Sequence, residues 1–292
     1  MTPGIWYAVL AYLLWGLVPI YWKSLQGVPG LQLICHRSVW SSAILIVPAW
    51  LSGNWSALLR AAASRRILAI YSAASITLAL NWLVYVWAVN AGFIVQAALG
   101  YFINPLVSVL LGVLALHERL RPGQWVAITL ATCGVVYLTL YYGTLPWIAL
   151  WLALSFGLYG LLKKTAPLGA VEGLTLETSI LAVPALVYLL YADTAGFGAF
   201  GHEGPLSTAL MVAAGPVTTI PLLFFAASVV RVPLSVVGML QYLSPTIQFL
   251  IGVYLYREPF SRGQFVGFAC VWAALIVFGA ESFLNQRATS RT

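Results

Sequence analysis

A stretch of thirty residues occurs twice, and that repetition limits what the chain can fold into more than any other feature. Residues 97–126 read AALGYFINPLVSVLLGVLALHERLRPGQWV, and residues 237–266, 140 positions on, read VGMLQYLSPTIQFLIGVYLYREPFSRGQFV. Eight of the thirty pairs are identical: Pro105/Pro245, Leu110/Leu250, Gly112/Gly252, Val113/Val253, Glu118/Glu258, Gly123/Gly263, Gln124/Gln264 and Val126/Val266. Most other pairs exchange one apolar residue for another. Leu-rich segments resemble one another by chance, but Pro, Gly, Glu and Gln in fixed register are harder to dismiss. The offset is nearly half of the 292 residues, so the chain reads as two tandem units, 1–143 and 144–292.

Hydrophobic residues make up 62% of the chain and charged ones 7%, where a soluble domain carries about 25% charged. No soluble fold hides that much apolar surface, and the class is an all-α polytopic membrane protein. Aromatic pairs such as Trp6/Tyr7, Tyr21/Trp22, Trp50/Trp55 and Tyr141/Tyr142 suit the interfacial belts. Cys35, Cys133 and Cys270 lie in apolar runs without paired spacing, which predicts buried free thiols rather than a disulfide framework or a metal site. The net charge of +7 resides in loops and does not imply nucleic acid. The first apolar run begins near Ile5 with no basic segment before it, which predicts a retained first span.

Ten apolar runs are long enough to cross a bilayer as helices, near 4–22, 31–51, 67–89, 92–116, 123–142, 146–162, 173–191, 207–228, 233–256 and 263–283. Backbone groups in lipid must be paired within the chain, so these are helices. Short connectors such as Val28-Pro29-Gly30 and Arg121-Pro122-Gly123 join them, and the longest, 52–66 and 192–206, leave no room for a soluble domain. Ten basic residues, Arg60, Arg65, Arg66, Arg119, Arg121, Lys163, Lys164, Arg231, Arg287 and Arg291, fall on the face that holds both termini, against Lys23, Arg257 and Arg262 on the other. That bias predicts cytoplasmic termini. Each unit holds five spans, an odd number, so the second unit enters the membrane inverted. Leu13, Gly16, Leu17 and Lys23 meet Leu154, Gly157, Leu158 and Lys164 at an offset of 141, in keeping with that duplication. Inverted repeats characterise secondary transporters, with a site near the midplane.

The segments LAYLLWGLVPIYWK, CHRSVWS, GYFINPLVSVLLG with the following ERL, SFGLYGLLKK and LSPTIQFLIGVYLYREPF resemble RarD-type permeases of the EamA branch of the drug/metabolite transporter superfamily, and the resemblance runs through the whole chain. It implies ten helices as two inverted five-helix halves in the bacterial inner membrane. Spans 1–4 and 6–9 would surround a central cavity, with spans 5 and 10 at the side.

An ionisable group inside a span is costly and therefore a functional candidate. His36 and Arg37 lie five or six residues into the second run, and His36 meets Glu177 at the offset of 141. Arg37 would attract an anionic group, His36 or Glu177 would titrate during transport, and His36 and Arg37 are both expected to face the cavity. The competing reading has Arg37 reaching the outer headgroups and Glu177 pairing with Lys163 or Lys164. Glu118 and Glu258 close the central span of each unit and are expected to cap the helix that follows. Asn81 and Tyr85 share a helix face; with Asn90, Gln96, Tyr101, Asn104, Gln241, Tyr242, Ser244 and Gln248 they are candidate cavity residues, and Trp15 and Tyr159 candidate aromatic walls. Asn104-Pro105 and Ser244-Pro245 predict paired helix breaks acting as hinges, which free the carbonyls of Tyr101 and Gln241. Pro216 and Pro221 predict a bend in the eighth run. Gly263-x-x-x-Gly267 and Gly123-x-x-x-Ala127-x-x-x-Ala131 predict close helix contact, within the chain or in a homodimer.

Gly196-x-Gly198-x-x-Gly201 fits a dinucleotide pattern but has no α/β unit around it, and no phosphate-cradling Gly-Lys-Ser/Thr occurs, which argues against ATP-driven transport by this chain alone. The expectation is a secondary transporter without cofactor or metal, acting on a small-molecule solute in the lipid bilayer as monomer or homodimer, with protons as the candidate coupling ion and export favoured by the resemblance. The rival is an intramembrane or lipid-modifying enzyme built on His36, Arg37 and Glu177. A water-lined cavity reaching the midplane favours transport, a closed pocket open to lipid favours the enzyme, and a structural or sensor protein needs neither.

Overall fold

The computed structural model describes residues 3–51, 55–91, 93–143, 147–257 and 261–289, and they form a helical bundle without strands. Its elements are α1 (Pro3–Lys23), α2 (Gly30–Leu51), α3 (Trp55–Ala63), α4 (Arg65–Asn90), α5 (Ile94–Leu116), α6 (Pro122–Tyr142), α7 (Trp147–Thr165), α8 (Ala170–Thr194), α9 (Gly204–Val229), α10 (Leu234–Leu240), α11 (Leu243–Leu250) with a π-helical turn over Ile251–Leu255, and α12 (Arg262–Thr289). All ten apolar runs are helical. Among the described residues eight segments, counting Leu234–Leu255 as one, are long and apolar enough to cross a membrane. Of the other two, α7 carries Lys163 and Lys164 in its last turn, and α12 contains the apolar stretch Phe265–Glu281.

Within the connector 52–66, Trp55–Ala63 form the helix α3, which is too short to stand out as an apolar run. In α3, Leu58 and the partly buried Trp55 and Ala62 pack on Ala49 and Tyr71, while Arg60 is exposed. A short amphipathic helix of this kind suits the membrane interface.

Two packing arrangements position the centre. At the side, α6 lies on α12 through small residues: Ala127 and Ala131 are fully buried, and a Cβ on Gly134 would come within 2.9 Å of Cys270 Cβ and 3.0 Å of the Gly267 carbonyl. The small-residue stripes therefore serve contact within the chain. The remaining long helices surround the middle: α1 packs on α9 and α11, α2 on α8 and α9, α4 on α7 and α8, and α5 on α7 and α10. Cys35 is buried as expected, but Cys133 is exposed, because it lies on the outer face of α6, away from α12.

The expected pair of helix breaks is present in one copy only. Helix α5 runs unbroken through Pro105, whereas the repeat-related segment parts at Gln241–Tyr242 into α10 and α11. The proline at 245 cannot donate, and the Gln241 carbonyl accepts instead from Ser244 N–H at 3.1 Å. Three residues earlier Gly238 lets α10 cross α5 closely, since a Cβ there would stand 2.9 Å from the Pro105 carbonyl. Helix α9 likewise continues through Pro216 and Pro221.

One backbone feature recurs at the same repeat position. His117 (φ 55) and Arg257 (φ 53), 140 apart, are the only non-glycine residues with positive φ among those described. Each follows the long central helix of its unit. A side chain in the left-handed region costs about 1–2 kcal/mol, so this turn is held by the structure around it.

Candidate functional site

The helices leave a cavity of about 160 Å³ at the centre. Trp15 and Trp22 of α1, Arg37 of α2, Asn81, Trp82 and Tyr85 of α4, Tyr101 and Asn104 of α5, Phe156 of α7, Leu222 of α9, and Gln241, Ser244, Pro245 and Gln248 around the break line it. It extends toward the end where α1 finishes, since Trp22 in the last turn of α1 is in its wall.

Of the polar residues singled out from sequence, Arg37, Asn81, Tyr85, Tyr101, Asn104, Gln241, Ser244 and Gln248 meet there, with the hinge residue Pro245. His36, Glu177, Tyr242 and Pro105 are not in its wall. Adjacent helical residues point about 100° apart, so Arg37 faces inward while His36 turns toward the α8–α9 connector and stacks on Phe200 at 5.1 Å. Tyr242 is buried and donates to the Phe102 carbonyl at 3.1 Å, tying α11 to α5. The side chains of Asn90 and Gln96, and residue Glu258, lie outside the described residues.

Glu177 is committed elsewhere. Its Oε1 accepts from Lys163 Nζ at 2.8 Å and its Oε2 from the Tyr159 hydroxyl at 3.1 Å, with the ion pair almost wholly buried. Tyr159 therefore supports this pair rather than the cavity wall. Glu177 and Arg37 share only a narrow gap between α2, α4, α8 and α9. His36, Arg37 and Glu177 are thus not gathered into one polar cluster.

Arg37 is held by three contacts. Its Nε donates to Thr218 Oγ1 at 3.1 Å, and the guanidinium lies over the Trp82 ring at 3.7 Å and nearer the edge of reach of Trp22 at 5.4 Å. Among the described residues no carboxylate pairs with it. Trp82 and Thr218 were missed as site residues from sequence; the only signal was Trp82's position beside Asn81. Asn81 is oriented by Nδ2 bonds to the Leu152 carbonyl and Ser155 Oγ, both 2.9 Å, and Gln248 by bonds to the Trp15 carbonyl and Ser244 Oγ, both 3.2 Å.

At the end of the molecule opposite Trp22, charged side chains tie the ends of separate helices together. Glu118, expected to cap α6, instead caps α10, more than a hundred residues away: Oε1 accepts from Leu234 N–H at 2.6 Å and Oε2 from Ser235 N–H at 2.9 Å and Ser235 Oγ at 2.7 Å. The start of α6 is served locally, by Gln124 Oε1 on Arg121 N–H at 2.9 Å. Lys164 Nζ donates to the carbonyls of Val229 and Val232, at 2.9 and 2.7 Å, at the end of α9. Carboxylate at a helix start and ammonium at a helix end both oppose the local dipole charge.

A bundle of membrane-crossing helices around a central cavity lined by aromatic and polar side chains defines the class, a multi-pass membrane permease. Residues 2–140 match the EamA-like transporter family. The chain is 44% identical to the uncharacterized transporter YojE of Bacillus subtilis, over 98% of this chain and 96% of that one. It is 42% identical to protein RarD of Streptomyces exfoliatus (97% and 90% covered) and 38% identical to protein RarD of Escherichia coli (99% and 97% covered). A solved crystal structure superposes with a TM-score of 0.70 over 94% of this chain and 97% of its own at 20% identity, which shows the fold alone. The chain belongs to the EamA-like transporter family, as a RarD-type permease of the drug/metabolite transporter superfamily.

Proposed function

We propose that this permease is a secondary transporter of the bacterial inner membrane, with both termini cytoplasmic, that exports a small organic solute by alternating access through the central cavity. The observation that carries this reading is the cavity itself, to which both units contribute and on which polar side chains from α2, α4, α5 and α11 converge. The pattern of helix contacts supports a twofold-related repeat, and the opposite placing of the ends of α1 and α7 supports its inversion. Contacts α5–α7 and α11–α1, α4–α7 and α9–α1, and α2–α9 and α8–α4 form matched pairs, while α2–α8, α5–α10 and α6–α12 map onto themselves. A twofold that exchanges 1–143 with 144–292 produces this list, and the matching left-handed residues His117 and Arg257 agree with it.

On this reading Glu118 and Lys164 hold the cytoplasmic end shut. The repeat-related Lys23 sits at the opposite end over the Tyr256 ring, at 3.3 Å, rather than on helix-end carbonyls. The two ends thus differ as an outward-facing state requires, and rocking one unit against the other would exchange them. Arg37, Asn81, Tyr85, Tyr101, Asn104, Gln241 and Ser244 bind the solute, and Pro245 serves as hinge. His36 and Glu177, both buried ionisable groups beside the cavity wall, are the coupling candidates for protons.

The test is uptake of a solute panel into proteoliposomes with and without an imposed pH gradient. The expected result is saturable movement of at least one solute, with a steady level that follows the gradient. A confirmed substrate whose rate and level never respond to the gradient contradicts proton coupling; no solute moved by active, oriented protein contradicts transport.

A further inference from the structure

The cavity wall also constrains the charge and shape of what enters it. Arg37 is the only charged side chain among the described lining residues. Its Nε is used on Thr218, and Trp82 covers one face of the guanidinium. The terminal nitrogens have no protein partner among the described residues. The nearest candidate counter-ion, Glu177, has both oxygens engaged, by Lys163 and by Tyr159. A guanidinium so placed presents the flat donor edge that matches a carboxylate.

Two further polar atoms in the wall have no hydrogen-bond partner among the described residues, Asn104 Oδ1 and the Tyr12 hydroxyl; Asn104 is 5% exposed and Tyr12 1%. Buried polar groups are rarely left unpaired, and the Asn104 oxygen calls for an N–H or O–H donor. Between these anchors the wall is aromatic: Trp15 and Phe156 meet edge to face at 5.8 Å, and Trp82 stands beside Arg37.

Resting on the reading of this cavity as the solute's path, we propose that the solute is a small organic anion. Its carboxylate sits on Arg37, a hydroxyl or N–H group reaches Asn104, and a flat apolar body lies against Trp15 and Phe156. Among the described lining residues no carboxylate receives an ammonium group, so zwitterions and cations with the same body bind less well than the anion.

The test compares 3-phenyllactate, phenylalanine and phenethylamine, which share a ring and short chain but carry net charges of about −1, 0 and +1 at neutral pH. Phenyllactate has the carboxylate for Arg37 and a hydroxyl for Asn104, and no ammonium group. Each is added to the full-length protein in detergent at matched ionic strength, with inorganic phosphate as a fourth probe, and thermal stabilisation is followed by titration. Phenyllactate is expected to raise the melting temperature saturably, and the other three to do so much less. Arg37→Gln is expected to weaken phenyllactate binding by about tenfold to a hundredfold, the range of a charge-assisted hydrogen bond, while Arg37→Lys retains the preference for the anion. The ranking in the unaltered protein needs no variant and stands even if Arg37→Gln fails to fold. Equal or stronger stabilisation by phenylalanine, phenethylamine or phosphate overturns the proposal, as does the absence of any phenyllactate effect. Binding is read without transport, so these outcomes are separate from the proteoliposome result: a protein that moves a cation would end the anion proposal and leave the transporter reading intact.

Discussion

At the scale of single residues, the most consequential contact outside the cavity is the buried pair Lys163–Glu177. Two charges removed from water repay the cost only when paired and hydrogen-bonded, and Tyr159 completes that shell. Lys163→Met leaves a buried carboxylate and is expected to destabilise the protein by about 3–5 kcal/mol. The double variant Lys163→Met/Glu177→Leu should recover most of that loss, as read from unfolding in detergent. If the double variant is no better than the single one, the pair is not what holds α7 to α8. Ionisable residues within spans were easy to find in the sequence, because so few occur. Which way they point was not: Arg37 and His36 are neighbours in sequence, yet one faces the cavity and the other faces Phe200. Depth along a helix is legible from residue counts, whereas rotation about its axis depends on what packs beside it.

At the scale of elements, Glu118 joins the end of α5 to the start of α10. Glu118→Ala removes the acceptor for two backbone N–H groups and is expected to cost about 1–2 kcal/mol, as for loss of a helix cap. Ser235→Ala added to that background should cost little more, since its hydroxyl bonds the same carboxylate. Full additivity of the two changes would show that they act independently. On the far side of the bundle, Gly134→Leu is expected to separate α6 from α12 and lower stability, because even a Cβ there crowds Cys270 and the Gly267 carbonyl. Solute affinity should be unchanged, since neither helix lines the cavity. The helices themselves were legible, because apolar length and loop charge are local properties. The prolines were visible too, but not their effect. Pro105 leaves α5 continuous while Pro245 accompanies a break, although the two prolines occupy the same place in the sequence repeat. The partner of Glu118 was hidden too: Ser235 lies 117 residues away, and nothing near Glu118 in sequence points to it.

At the scale of the whole molecule, the cavity on the proposed reading is open toward the end of α1 and shut by Glu118 and Lys164 at the other. A single state of this kind becomes a transport cycle only if the closed end opens while the open end closes. Ser244 lines the cavity from the broken segment, so a thiol placed there samples the proposed path. The decisive measurement is therefore the reaction of Ser244→Cys, in a background with Cys35, Cys133 and Cys270 replaced by alanine, with a membrane-impermeant thiol reagent in right-side-out and inside-out vesicles. Alternating access between two inverted halves predicts modification from both sides, slowed from both by a bound solute; modification from one side only, under every condition tried, would contradict it.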